Sequence, residues 1–122
     1  MGDPHPGTGR NAATRTISVA KDFSKFPAGR YLSHGPFPGE KFRDETLVPA
    51  LKEFDRVTVL LDGTMGYGSS FLEETFGGLV RIRGFSAEDL HKRLTIHSAA
   101  DPSLVKEAWS YVDAAEPSLS SG

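Results

Sequence analysis

The distribution of apolar and polar residues along the chain predicts four β-strands. Residues 57–62 are dominated by valine and leucine up to a final aspartate, which is typical of a strand buried on both faces. Residues 15–20 and 92–97 alternate apolar and polar side chains, as half-exposed strands do. Residues 29–33 are predicted as a short further strand.

Three other segments have the apolar spacing of helices. Residues 40–54 carry an apolar stripe, in which Pro49 predicts either a kink or a later start of the main helical body. Residues 71–82 form a second amphipathic segment, and the pair Asp101-Pro102 predicts the start of a third. The order of these elements predicts an α/β fold, with a small mixed sheet of about four strands and about three helices packed on it.

Length and composition indicate one globular domain. The chain has 122 residues, of which 38% are hydrophobic and 25% are charged, and this is the profile of a single ordinary core. We expect the domain to span residues 15–115. Residues 1–14 and 116–122 are dominated by small, polar, glycine and proline residues, so we expect disordered tails there.

Charge and cysteine content narrow the classes of function. The formal net charge is −2, so the overall balance does not support a nucleic-acid or membrane partner. The chain has no cysteine, which removes disulfides and thiolate sites and fits a reducing compartment. It also shows neither an apolar signal-peptide core nor a stretch of membrane-spanning length. We therefore expect a cytoplasmic protein.

The glycine-rich stretch after the central strand comes close to two catalytic motifs and completes neither. Asp62-Gly-Thr64 resembles the first motif of haloacid-dehalogenase-type phosphatases, but Leu60 stands where the nucleophilic aspartate is needed. Ser69 stands where the phosphate-binding P-loop has its lysine. The four histidines show no metal-ligand spacing. We predict no catalytic residue, no cofactor and no metal site, and hence no enzyme.

Two serines follow the glycine-rich stretch at the expected start of the second helix. The spacing of Ser70 and Glu73 is that of a capping box, so Ser70 is interpreted mainly as a helix cap. Ser69 is less needed for capping and is the better candidate for a modified or ligand-contacting hydroxyl. Backbone amides at such a helix start favour a nearby anion.

At this stretch the chain resembles the STAS-like family known as domain of unknown function 4325. The resemblance rests on the strand ending in Asp62, on residues 66–74 leading into Phe76-Gly77, and on the upstream residues 35–43. It covers roughly residues 15–115.

The resemblance implies a fold and a class of function. STAS domains have the anti-sigma-factor-antagonist fold and act by binding partner proteins, commonly a kinase-like anti-sigma factor. Their control point is a serine or threonine at the start of the helix after a central strand, and Ser69 or Ser70 matches it by position. The resemblance therefore implies a non-enzymatic regulatory domain that is switched by serine phosphorylation.

If the second and third predicted strands are parallel, the loops before the first helix and before the second helix leave the same end of the sheet. We then expect them to line one crevice, with Arg43 and the serines forming an anion-responsive surface. The candidate residues of the central loop are Asp62, Gly63, Gly66, Tyr67 and Gly68. Those of the upstream loop are Gly35, Gly39, Glu40 and Arg43.

The sequence alone leaves two other functions possible. One is a small nucleotide- or phosphoester-binding domain that uses residues 63–70, although the P-loop lysine and the nucleophilic aspartate are missing. The other is a structural subunit that dimerises through its sheet.

Overall fold

The computed structural model describes residues 10–117 of the chain, and these contain a parallel three-stranded sheet. Strands β1 (Asn11–Ser18), β2 (Phe54–Leu60) and β3 (Leu94–His97) lie in the order β1-β2-β3. Strand β1 begins four residues before the expected domain boundary. Of the disordered tails expected at residues 1–14 and 116–122, residues 1–9 and 118–122 lie outside the described residues, and the prediction of disorder at residues 11–14 is wrong because they belong to β1.

One face of the sheet carries the core. Ile17, Val59 and Ile96 lie side by side in register and are at most 5% exposed. The side chains between them along each strand point to the opposite face, which is more exposed. The helical layer packs on the core face, as right-handed connections between successive parallel strands require.

The prediction of a fourth strand at residues 29–33 is wrong. This segment is irregular and contains only a 3₁₀ turn at Leu32–His34. Its backbone is used elsewhere, because the carbonyls of Gly29 and Arg30 accept hydrogen bonds from the amides of Gly39 and Glu40 at 2.9 Å. These amides belong to the first turn of a helix, where no intrahelical partner exists. The segment caps that helix, and the sheet is parallel rather than mixed.

The first long helix, called helix A, covers residues 39–53. It consists of α1 (Gly39–Phe42), a π turn (Arg43–Leu47) and α2 (Val48–Glu53). The Val48 amide reaches back five residues to the Arg43 carbonyl, directly before Pro49, which has no amide to donate. The helix thus accommodates its proline with a wider turn.

The second long helix, called helix B, covers residues 69–81. It consists of α3 (Ser69–Leu72), a π turn (Glu73–Gly77) and α4 (Gly78–Arg81). Gly84 ends this region with a φ of +79°, a conformation that glycine adopts without steric cost.

A π-helical turn at Val19–Phe23 follows β1, and two further helices complete the described fold. Helix α5 (Ala87–Arg93) adds to the three that were expected, and the Ser86 hydroxyl caps it by accepting from the Asp89 amide at 3.0 Å. Helix α6 (Ser103–Ala114) packs against helix B and β3. In residues 10–117, no helix is long and apolar enough to cross a membrane.

Candidate functional site

The candidate loop, residues 61–68, leaves the carboxyl end of β2, the end at which parallel α/β sheets usually bind ligands and partners. Gly63 and Gly66 have φ values of +95° and +128°, which side chains rarely tolerate. Glycine is therefore required at these two predicted positions by the path of the loop. Gly68 has ordinary extended backbone and precedes helix B.

Asp62 ties this loop to the segment that leads into α6. Its carboxylate accepts hydrogen bonds from the amides of Ala99 at 2.8 Å and Ala100 at 2.9 Å. These bonds lower the pKa of Asp62, because they favour the charged carboxylate. The aspartate therefore has a structural task at the carboxyl end of the sheet.

Tyr67 packs the loop onto the core. Its hydroxyl donates to the Leu61 carbonyl at 2.7 Å, and its ring lies 5.7 Å from that of Phe71. Burial raises the pKa of Tyr67 to about 12, so the phenol stays protonated at neutral pH. The tyrosine anchors the loop from the inside.

A cavity of about 400 Å³ lies between the loop and the start of α6. Its lining includes the carboxylates of Asp62 and Asp101 but no lysine or arginine. A phosphate group placed there would meet negative charge without a compensating cation. The cavity therefore disfavours the phosphoester-binding alternative.

The capping role expected for Ser70 is wrong. Helix B begins at Ser69 with Gly68 as its N-cap, and no side chain caps it. Glu73, the expected capping-box partner, instead forms ion pairs with Arg30 and with Arg81.

Both serines are exposed, but their surroundings differ. The Tyr111 hydroxyl donates to the Glu107 carboxylate at 2.7 Å, and this bond raises the pKa of Tyr111. A weaker side-chain interaction with Ser69 acts in the opposite direction, which places Ser69 beside α6. Ser70 has no side-chain partner among residues 10–117. Of the two hydroxyls, that of Ser70 is the freer.

Large apolar side chains are exposed on the loops at this end of the sheet. Met65 is 78% exposed in the loop after β2, and Phe26 is 64% exposed in the loop after β1. The Met65 amide donates to the Lys25 carbonyl at 2.8 Å, which brings these two loops together. Tyr31 and Leu32 are also exposed, at 47% and 58%, in the segment before helix A. Sequence reasoning missed this set, because the pattern of a loop does not reveal which apolar side chains are exposed.

The prediction that Arg43 and the two serines line one anion-responsive crevice is wrong. Arg43 is 2% exposed, and its guanidinium donates to the Glu74 carboxylate at 2.6 Å and the Glu74 carbonyl at 3.0 Å. A second side of the same guanidinium donates to Asp44. Arg43 therefore has no donor directed to the surface, and it holds helix A against helix B.

The other residues of the upstream loop also serve the contact between the two helices or the loop itself. Gly39 is buried, and a Cβ there would lie 2.6 Å from the Phe71 carbonyl oxygen. The Glu40 carboxylate accepts from the Leu32 amide at 3.0 Å. Gly35 is exposed, with a φ of +151°. Of the four upstream candidates, Gly39 and Arg43 thus lie in the helix–helix interface, and Glu40 and Gly35 do not contribute to it.

The residues that carried the family resemblance are therefore brought together, and their helical parts are largely buried, whereas Gly35, Ser69 and Ser70 are exposed. Residues 35–43 and 66–77 meet where helices A and B pack, around the buried pair of Arg43 and Glu74. In residues 10–117, no group of histidine, aspartate and glutamate side chains could hold a metal ion.

These features define a two-layer α/β domain whose exposed apolar loops gather at the carboxyl end of a parallel sheet. The chain belongs to the STAS-like domain family of unknown function, DUF4325, which matches residues 38–104. The predicted family is confirmed, and the matched region is shorter than the expected residues 15–115. No curated protein and no solved structure matches the chain.

Proposed function

We propose that this protein is a non-enzymatic regulatory domain that binds a partner protein through the loops at the carboxyl end of its sheet. A kinase-like or anti-sigma-type regulator is the class of partner that membership of a STAS-like family suggests. The observation that carries the proposal is the pairing of Met65 and Phe26, two strongly exposed apolar side chains on neighbouring loops. Exposed apolar patches on a folded domain commonly mark a binding surface.

We further propose that phosphorylation of Ser70 controls this binding. Ser70 follows the Met65 loop directly and is exposed, and its hydroxyl is not engaged in capping. A phosphate on Ser69 would instead lie next to Tyr111 and near the Glu107 carboxylate, where like charges repel. This reverses the preference for Ser69 that the capping-box spacing suggested.

The experiment compares the full-length protein with its Ser70→Ala, Ser70→Asp and Ser110→Asp variants as immobilised baits in host extract. Ser110 is an exposed helical serine on α6, so its replacement adds the same charge away from the loop. Captured proteins are identified by mass spectrometry, and the phosphate content of Ser69 and Ser70 is measured on protein isolated from the host.

We expect Ser70→Asp to lose a partner that wild type, Ser70→Ala and Ser110→Asp all retain. The affinity measured with that purified partner should fall about tenfold or more in Ser70→Asp, as an added charge in an apolar contact predicts. Equal binding by the two Ser70 variants, with no phosphate on either serine, would refute the switch. If Met65→Asp also left every captured protein unchanged, the binding surface itself would be refuted.

A further inference from the structure

Within the described residues 10–117, the face of the sheet opposite the helices is largely uncovered. It carries the alternate strand residues Thr14 and Thr16 of β1, Arg56 and Thr58 of β2, and Thr95 of β3. The register aligns Thr14 with Arg56, and places Thr16, Thr58 and Thr95 in one row across all three strands. Thr14, Thr16, Arg56 and Thr95 are exposed, and Thr58 of the central strand is half-buried.

An uncovered face is unusual for this kind of sheet. All-parallel sheets occur almost only where both faces are covered, since their connections and partners pack on both sides. Here the connections between the strands pack on the core face. The open face therefore has the geometry of a surface that a further layer covers.

The amino-terminal edge of this face is basic. A cleft of about 250 Å³ is lined by Arg10, Asp55, Arg56, Lys92 and Arg93, together with Ala12. The Asp55 carboxylate is paired with Arg10 at 3.1 Å, and Arg93 is paired with Asp89 at 2.9 Å.

The two remaining cations are only loosely held. Arg56 donates to the Lys92 carbonyl at 3.1 Å and is otherwise directed to solvent. The Lys92 ammonium lies 3.7 Å from Glu88, and its side chain is 72% exposed. Both can therefore turn toward a negatively charged partner without breaking a buried contact.

The chemistry of the surface selects one kind of occupant. Threonine hydroxyls, a guanidinium and an ammonium are hydrogen-bond donors, and none of the five strand residues named on this face is acidic. A second copy of the chain would oppose this cationic face with the same charges, which is repulsive. A nucleic acid would find phosphate contacts at the cleft, but none of the residues that line the cleft is aromatic, so its bases would find no stacking partner there. An acidic protein segment fits best.

We propose that the open sheet face and its basic cleft form a second docking surface, which binds an acidic segment of a partner protein. This surface lies at the amino ends of the strands, whereas the Ser70 loop lies at their carboxyl ends. It does not depend on phosphorylation or on the apolar loops. The domain thus has two distinct interaction surfaces, and it can connect two proteins.

The test uses the full-length, isotope-labelled protein and a peptide of about ten glutamates, at low and at high salt so that screening is seen. Binding is followed by amide chemical shifts in wild type and in the Arg56→Glu, Lys92→Glu and Lys106→Glu variants. Lys106 is an exposed lysine of α6, so Lys106→Glu changes the net charge equally at another site. A glycine–serine peptide and a single-stranded DNA of matched charge serve as competing probes.

We expect shifts at Arg56, Thr58 and Thr95 with the glutamate peptide. We also expect affinities about five- to tenfold lower in Arg56→Glu and Lys92→Glu than in wild type or Lys106→Glu. An equal loss of affinity in Lys106→Glu would overturn the proposal, because the change in net charge alone would then explain the weaker binding. Tighter binding of the DNA at the same residues, or a dimer of the free protein formed through this face, would also overturn it. Thermal melting of each variant confirms that the fold is retained.

Discussion

At the scale of single residues, the contact between the two long helices is built on charge. Arg43 and Glu74 are both 2% exposed, and the surrounding ion pairs add Asp44, Arg81 and Arg30. Among residues 10–117, no buried side-chain nitrogen or oxygen lacks a hydrogen-bond partner. Such fully satisfied networks contribute little net stability but are costly to break on one side, so they specify how the elements fit.

Asp44 makes this network sensitive to acid. Burial opposes ionisation of Asp44, but hydrogen bonds from Arg83 and Arg43 outweigh it and lower its pKa from 3.8 to about 2. A carboxyl whose pKa is lower in the folded state stabilises the protein above its unfolded pKa, and this contribution is lost as the pH falls. We expect a contribution of about 2 kcal/mol at neutral pH, which disappears between about pH 4 and pH 2.

The prediction is checked by urea unfolding of wild type and Asp44→Asn from pH 7 down to pH 2. The variant should be less stable by about 1–2 kcal/mol at pH 7, and the gap should close on acidification. Glu45→Gln removes the same charge from the neighbouring exposed position and should show neither effect. A constant gap between wild type and Asp44→Asn at all pH values would contradict the argument.

At the scale of elements, Gly39 of helix A sets how closely helices A and B approach, whereas Gly77 meets side chains of its own helix B. A Cβ on Gly39 would lie 2.6 Å from the Phe71 backbone carbonyl and 2.9 Å from the Thr75 hydroxyl, and the backbone cannot yield cheaply. A Cβ on Gly77 would meet the Glu73 carboxylate at 2.8 Å, but this is the end of a flexible side chain. Two glycines in the same helix pair thus face different constraints.

Alanine substitution separates these two cases. Gly39→Ala should lower the free energy of unfolding by about 1–3 kcal/mol, because it forces the helices apart. Gly77→Ala should be neutral or mildly stabilising, since alanine is preferred to glycine within a helix by about 1 kcal/mol. Chemical denaturation measures both, and equal effects from the two substitutions would show that helix propensity rather than interhelical distance decides.

The same elements show which features are readable from sequence. The central strand and helix B have strong apolar patterns of their own, so the sequence predicts both. Helix B covers residues 69–81 against the predicted 71–82, whereas β2 (Phe54–Leu60) begins three residues and ends two residues before the predicted 57–62. Residues 29–33 were predicted as a short strand, but the carbonyls of Gly29 and Arg30 cap helix A. Whether a segment caps a helix depends on where that helix lies in the fold, and the local sequence pattern of the segment does not contain this information. Arg43 was misplaced for the same reason, since its partner Glu74 is 31 residues away.

At the scale of the whole molecule, the family match and the folding unit differ. The match covers residues 38–104, which excludes β1 and nearly all of α6. Yet β1 forms one edge of the sheet and contributes Ile17 to the core, while α6 contributes Ala108 and Val112. The predicted α/β class and the single core follow from composition and periodicity, but the extent of the core requires the structure.

We therefore predict that a fragment of residues 38–104 does not fold alone, whereas a fragment of residues 10–117 folds like the full chain. Removing β1 and α6 uncovers the buried side chains that pack against them, and each fully buried aliphatic side chain stabilises a fold by about 1.5–3 kcal/mol. The loss of several such contacts exceeds much of the total stability of a small domain, which is about 5–15 kcal/mol. Amide spectra should be dispersed for residues 10–117 and collapsed for residues 38–104. A dispersed, cooperatively melting spectrum from the shorter fragment would mean that helices A and B with two strands form a sufficient core. Strand β1 would then extend the sheet without being required for folding.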